Sequence, residues 1–228
     1  MIDLPQSTTF GRRIPKTKFY ENLSVSTQLK RVFTEQINQI VWQNKIAPST
    51  INIAAGEHVR EIEVFVIKLN QQNLDSKVLS QIDKEIPYHI LFLLEYKGEQ
   101  QAWIGYKEAS QTTPGTFKPG VYYHTEWVPT ENQPIKLDGL NMDTLYESLI
   151  RQIAGDRLAP DDTPDTYDIK EAIDRDEQRQ RLQREIAALE KKVQNEKQFN
   201  RQVELNEELK QLRTEWEGCK YRIVTDKC

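Results

Sequence analysis

Residues 61–69 read Glu-Ile-Glu-Val-Phe-Val-Ile-Lys-Leu, and this run decides the fold. Ile62, Val64 and Val66 alternate with Phe65, Ile67 and Leu69, so β-branched and aromatic side chains fall on both faces, the pattern of a central strand. Polar residues 70–75 break the run. Residues 76–86 then set Val78, Leu79, Ile82 and Ile86 at helical spacing, Pro87 stops the helix, and Ile90-Leu91-Phe92-Leu93-Leu94 supplies another strand. Strand, helix and strand in close succession predict a crossover with parallel pairing.

On the N-terminal side, residues 3–20 hold Pro5, Gly11 and Pro15 among polar and basic residues, which predicts an extended arm ending at Phe19 and Tyr20. Ser26 or Thr27 can cap a helix in which Leu29, Val32, Phe33, Ile37, Ile40 and Val41 follow helical spacing to Trp42, with Pro48 barring continuation. On the C-terminal side, Lys97-Gly98-Glu99 is a turn leading to a strand at 102–107. A further strand at 121–128 follows a loop with Pro114, Gly115, Pro119 and Gly120. The expected sheet is mixed, with about four strands. Residues 142–153 form an amphipathic helix through Leu145, Leu149, Ile150 and Ile153, capped by Asn141 or Asp138. Residues 155–167, with Pro160, Pro164 and four aspartates, read as a linker.

Residues 168–217 contain neither Gly nor Pro and carry 11 basic and 13 acidic side chains. Leu182, Ile186, Leu189 and Val193 form one apolar stripe, too narrow for a globular core and suited to a partner helix. Beyond Val193 the register shifts to Phe199, Val203, Leu209, Leu212 and Trp216. Either the chain turns back near residues 195–200 into an antiparallel hairpin, or one helix of about 75 Å carries a stutter. The comparable halves and the bracketing Asn195 and Asn200 favour the hairpin. The expected fold class is therefore α+β: a small mixed-sheet domain with flanking helices at 1–154, a linker at 155–167, a helical hairpin or coiled coil at 168–217, and a tail at 218–228.

Composition narrows the setting. The chain has 228 residues, 37% hydrophobic and 29% charged, with a net charge of −4. Residues 1–50 carry seven basic and three acidic side chains, so this stretch is locally basic. Residues 1–13 lack an apolar signal core, and the apolar run at 90–94 is far short of the ~18 residues that span a bilayer. Cys219 and Cys228, with no histidine near them, make neither a disulfide framework nor a zinc site. A cytoplasmic protein without cofactor is expected, with no membrane contact.

Three groups of side chains bear chemistry. Glu95 and Lys97, at strand spacing, resemble half of a Mg²⁺-dependent nuclease site, but such a site needs an Asp from a preceding strand, and Asp83 falls on a helix. His124 and Glu126 can sit side by side on a strand as an acid/base pair or a solvated face. The arm places Arg12, Arg13, Lys16 and Lys18 beside Phe19 and Tyr20, a composition that contacts phosphates and stacks a base. It equally describes a strap whose Ile14, Phe19 and Tyr20 pack down while the cations stay in water. Lys191, Lys192, Lys197 and Arg201 cluster where a hairpin would turn. No Gly-x-Ser-x-Gly elbow occurs.

The segments Arg13-Ile14-Pro15-Lys16-Thr17-Lys18-Phe19-Tyr20, Ile40-Val41-Trp42, Ile51-Asn52-Ile53, Ile82-Asp83-Lys84-Glu85-Ile86-Pro87, Ile90-Leu91-Phe92 and Glu196-Lys197-Gln198-Phe199-Asn200-Arg201-Gln202-Val203-Glu204-Leu205-Asn206 together resemble a bacterial family of uncharacterised proteins. That family is encoded beside Snf2-like or DEAD/DEAH-box helicases and DNA methyltransferases of restriction-modification or phage-defence islands. The resemblance implies a helper in such a system and carries over no catalytic residue. Three roles are expected. The first is a non-enzymatic adaptor holding a helicase or methyltransferase, or a second copy of itself, through Leu182, Ile186, Leu189, Val193, Phe199, Val203, Leu209, Leu212 and Trp216. The second is a nuclease-like effector using Glu95 and Lys97. The third is a DNA-contacting subunit using Arg12, Arg13, Lys16 and Lys18.

Overall fold

The run at 61–69 becomes β3 (Ile62–Leu69), with every residue buried except Lys68. β3 pairs in parallel with β4 (His89–Tyr96), placing Val64 opposite Leu91 and Phe65 opposite Phe92, and α3 (Lys77–Glu85) forms the crossover. The computed structural model describes residues 2, 4–21, 25–109, 117–132, 134–158 and 168–221. The expected prolines and glycines at 114–115, most of the 155–167 linker and Cys228 lie outside these residues. Two compact units divide the chain, Met1–Gly155 and Asp156–Cys228.

The sheet of the first unit is seven-stranded and mixed, larger than the spacing of strand-like runs predicts. Its order is β1 (Thr9–Ile14), β2 (Ile37–Ile46), β3, β4, β5 (Glu99–Ala109), β6 (Phe117–His124), with β7 (Val128–Pro129) also on β5. All pairings except β3 with β4 are antiparallel. Three sequence expectations are corrected here. The helix expected to reach Trp42 ends early: α1 spans Thr27–Glu35, capped by the Ser26 hydroxyl, which accepts from Leu29 N at 3.2 Å. Ile37, Ile40 and Val41 instead lie in β2, where pairing with β3 satisfies the backbone and buries Ile37, Ile40 and Ile46. β-Branched residues gain more there than a helix end offers them. The extended arm is likewise an edge strand, β1, with Ile14 opposite Ile40. The strand expected at 121–128 is two pieces, β6 and β7.

Side-chain alternation assigns the layers. Phe65, Ile67, Ile90, Phe92 and Leu94 face Phe33 of α1 and Val78, Leu79 and Ile82 of α3, with Phe19 closing this core. His89, one residue from Ile90, points the other way and meets the Tyr146 ring of α4 (Met142–Ala154) at 4.4 Å. Asn141 caps α4 by accepting from Thr144 N at 2.9 Å. Asp143, in the first turn, accepts from Glu57 N at 2.7 Å, His58 N at 3.1 Å and Val59 N at 2.7 Å. Partial burial opposes its charge, and the three amides outweigh that, so its carboxyl sits below the usual range. A Cβ on Gly56 would come within 2.4 Å of the Asp143 carboxylate, so this docking requires glycine.

The second unit contains the expected hairpin. α5 (Ile169–Asn195) and α6 (Phe199–Tyr221) are joined by residues 196–198, whose turn is held by Glu196 Oε1 accepting from Lys197 N at 2.8 Å and Gln198 N at 2.9 Å. Leu189, Leu205 and Leu209 form its buried centre, with Ile186, Val193 and Leu212 against them. Leu209→Ala is expected to destabilise the hairpin by about 2 kcal/mol, read as lost helical circular dichroism at a lower temperature than in the parent.

Candidate nucleic-acid interface

Gly11 has a φ of +63°, the left-handed region where a side chain is strained. It lies within a bulge between Thr9 and Arg12, after which Arg12 stands opposite Trp42 and Arg13 opposite Val41. Lys16 turns inward, its Nζ donating to Ile37 O at 2.6 Å. It pins the chain at the point where Phe19 enters the core. Arg12, Arg13 and Lys18 are exposed and have no ion-pair partner among the described residues. The strap and the phosphate-contact readings thus describe different side chains of the same segment: Ile14, Phe19 and Tyr20 pack, and three of the four cations stay available.

These cations border a cleft of about 530 Å³, with apolar walls from Ile14, Pro15, Phe19, Ile86 and Pro87 and rings from Trp42, Phe65 and Tyr88. The volume is within the range of roughly 300–1,000 Å³ typical of small-molecule sites. Trp42 stacks on Phe65 with centroids 6.1 Å apart and meets Phe10 at 4.1 Å. One acidic residue lines the cleft. Glu63 is only 1% exposed, its Oε2 accepts from Trp42 Nε1 at 2.6 Å, and its Oε1 has no hydrogen-bond partner. Burial, opposed by the Trp42 hydrogen bond and reinforced by neighbouring Glu61, pushes its carboxyl up to about 7. Glu61 is itself held by Lys45 at 2.6 Å.

The wall at 86–88 is fixed from behind. Lys107, buried on β5, donates to Ile86 O at 3.2 Å, Tyr88 O at 2.5 Å and Asp83 O at 3.2 Å, and pairs with Asp83 Oδ1 at 2.9 Å. Tyr122 donates to Asp83 Oδ2 at 2.6 Å, and Tyr146 donates to Gly105 O nearby. Burial pushes the Lys107 ammonium down and the Asp83 carboxyl up, each partly offset by the other.

The remaining candidates lie elsewhere. Glu95 Oε1 accepts from Gln100 Nε2 at 3.2 Å, while Lys97, at the turn with φ +47°, places Nζ 5.2 Å from the Tyr96 ring centroid. Asp83 belongs to the Lys107 cluster. No group of three or more His, Cys, Asp or Glu with metal-binding geometry occurs among the described residues. His124 stacks on Trp103 at 4.4 Å, and its Nδ1 lies 3.2 Å from Gln101 Nε2. Of the expected partner-binding stripe, Ile186, Leu189, Val193, Leu209 and Leu212 pack within the hairpin, and Leu182 is buried. Phe199 and Val203 are 75% and 43% exposed; Trp216 is half-buried. Near the turn, Arg201 pairs with Glu204 at 2.6 Å, and Lys191 and Lys192 border a shallow groove.

Trp42, Glu63, Tyr88 and Lys107 are not among the site residues expected from the sequence, nor is Leu205 among those expected in the hairpin stripe. Glu63 had a local signal, as a charge inside an otherwise apolar strand; Leu205 had one too, at helical spacing from Leu209 and Leu212.

A family model described as "Domain of unknown function (DUF4391)" matches residues 2–215. No curated protein and no solved structure matches the chain. No helix among the described residues is long and apolar enough to cross a membrane.

Proposed function

The chain belongs to the DUF4391 family, and within it we propose that this protein is an accessory subunit that contacts nucleic acid at the β1 cleft. The observation that carries this reading is the position of Arg12, Arg13 and Lys18, exposed and without ion-pair partners among the described residues, around an aromatic cleft. Cations on a backbone-tracking rim with rings behind them are the chemistry of single-strand binding. The resemblance to proteins encoded beside helicases and DNA methyltransferases supports the same setting, since such enzymes expose single strands and displaced bases.

The test is fluorescence anisotropy with single-stranded oligonucleotides of about 12 nucleotides, titrated across salt. The parent is expected to lose affinity steeply with salt. Replacing Arg12, Arg13 and Lys18 together with Gln is expected to weaken binding by at least about tenfold and to reduce the logarithmic salt slope by about two. Unchanged affinity and slope would refute the assignment.

A second reading has its own observation. Phe199 and Val203 are large, exposed apolar residues on the first turns of α6, and exposed apolar side chains of this kind suit a protein partner. The adaptor role would then belong to these two residues, because most of the stripe is occupied inside the hairpin. Co-purification of a helicase or methyltransferase with the full chain, lost in Phe199→Ser with Val203→Ser, supports it; retention in that variant contradicts it.

A further inference from the structure

Phosphate contact makes no use of the buried carboxyl in the cleft. Glu63 is held by Trp42 Nε1 through Oε2, while Oε1 accepts no hydrogen bond. A buried acceptor without a donor is unfavourable, and such atoms in a native protein point to strain, water or a ligand. No cation reaches it, since Lys45 is held by Glu61 and Arg12, Arg13 and Lys18 are exposed; below about pH 7 the carboxyl's own proton, shared with the neighbouring Glu61 carboxylate, satisfies it, and once ionised it is a buried acceptor without a donor. The acceptor therefore lies at a site with apolar walls and a positive rim, and the ligand that fits all three is amphipathic. It needs an anionic group for the rim, a flat apolar ring for the walls and an N–H donor at the ring's edge.

We propose that the cleft takes one unstacked nucleobase of the bound strand and that Glu63 Oε1 accepts a hydrogen bond from its exocyclic amino group. The inference rests on the nucleic-acid reading above and adds base selection to it. Cytosine offers such an amino group at the position where thymine has a carbonyl oxygen. Ionised Glu63 repels an oxygen facing Oε1 instead of binding it, so at a pH above its raised value of about 7 the cleft discriminates between these two rings of similar size. Tyr88 provides the ring available for stacking, as Trp42 already packs on Phe65 and Phe10. The same carboxyl selects against bases whose edge carries only acceptors at that point. Phosphates flanking the extruded base would lie along β1, within reach of Arg12 and Arg13.

The experiment compares oligo(dC), oligo(dT) and an abasic oligomer of equal length, about 12 nucleotides each, by anisotropy with the full chain at about pH 8.5, where Glu63 is ionised. Oligo(dC) is expected to bind at least about tenfold more tightly than the abasic oligomer, a stacking-sized effect, and about fivefold more tightly than oligo(dT). Glu63→Met is expected to bring oligo(dC) and oligo(dT) to equal affinity. Oligo(dC) built from N4,N4-dimethylcytosine removes the donor from the ligand side and should lose the same preference with the parent protein, whatever Glu63→Met does to folding. Equal binding of oligo(dC) and the abasic oligomer overturns the base pocket and leaves the salt-dependent arm contact standing. A preference that survives both the variant and the methylated base overturns the role of Glu63. Failure of every oligomer to bind removes the nucleic-acid reading and this inference with it.

Discussion

Lys107→Met is expected to lower the unfolding free energy by about 3–5 kcal/mol, the cost typical of leaving one member of a buried ion pair alone. The Lys107 and Asp83 side chains are each 1% exposed, and Nζ also donates to the carbonyl oxygens of Asp83, Ile86 and Tyr88. Its removal uncovers those acceptors as well as the carboxylate, and Met can satisfy none of them. Urea unfolding followed by tryptophan emission reads the loss directly. Asp83→Asn added to Lys107→Met removes the uncompensated charge while keeping an acceptor for Tyr122, and is expected to recover part of the stability. A double variant no more stable than Lys107→Met would show that the carbonyl contacts, not the charge, dominate. Because the same ammonium holds residues 86 and 88, which wall the cleft, Lys107→Met is also expected to weaken ligand binding.

Glu63→Gln has its largest effect through pH. Burial raises the folded-state carboxyl to about 7 from an ordinary 4.5, with Trp42, Glu61 and Lys45 acting around it. The native protein thus holds this proton more tightly than the unfolded chain does. The resulting stability is fully present below about pH 4.5 and is lost as pH rises through about 7. Glutamine keeps an oxygen for Trp42 Nε1 and removes the titration. Its stability relative to the parent is expected to rise by about 2–3 kcal/mol between those limits. Paired denaturant curves for the two proteins, taken across that pH interval, check it; a constant difference would show that Glu63 is not perturbed by its burial.

The parts of the fold legible in the sequence are those where one periodicity had no competitor. β3, α3 and β4 read correctly because two-sided apolar runs flank a short amphipathic stretch closed by Pro87. The hairpin was legible because the apolar register shifts where Asn195 and Asn200 bracket the break. Residues 37–42 were misread because Ile37, Ile40 and Val41 satisfy helical spacing as well as strand propensity, and the β3 residues that decide between them pair from 23 to 32 positions further along the chain. The candidate site was half legible. Its cations announced themselves as a basic run with aromatic neighbours. Its floor did not, because Arg12 meets Trp42 only through strand pairing and Glu63 joins them only across the sheet. Lys107 looks like any charged strand residue; the register shift between Gly105 and Lys107 accompanies its inward course.

The most direct measurement is photo-crosslinking of a single strand carrying 5-iodocytosine to the full chain, with the attached residues mapped by mass spectrometry. Attachment is expected within residues 10–19 and at Tyr88 or Trp42, abolished by an excess of unlabelled oligo(dC). Crosslinks confined to residues 186–203 of the hairpin, with none at the β1 cleft, would contradict it.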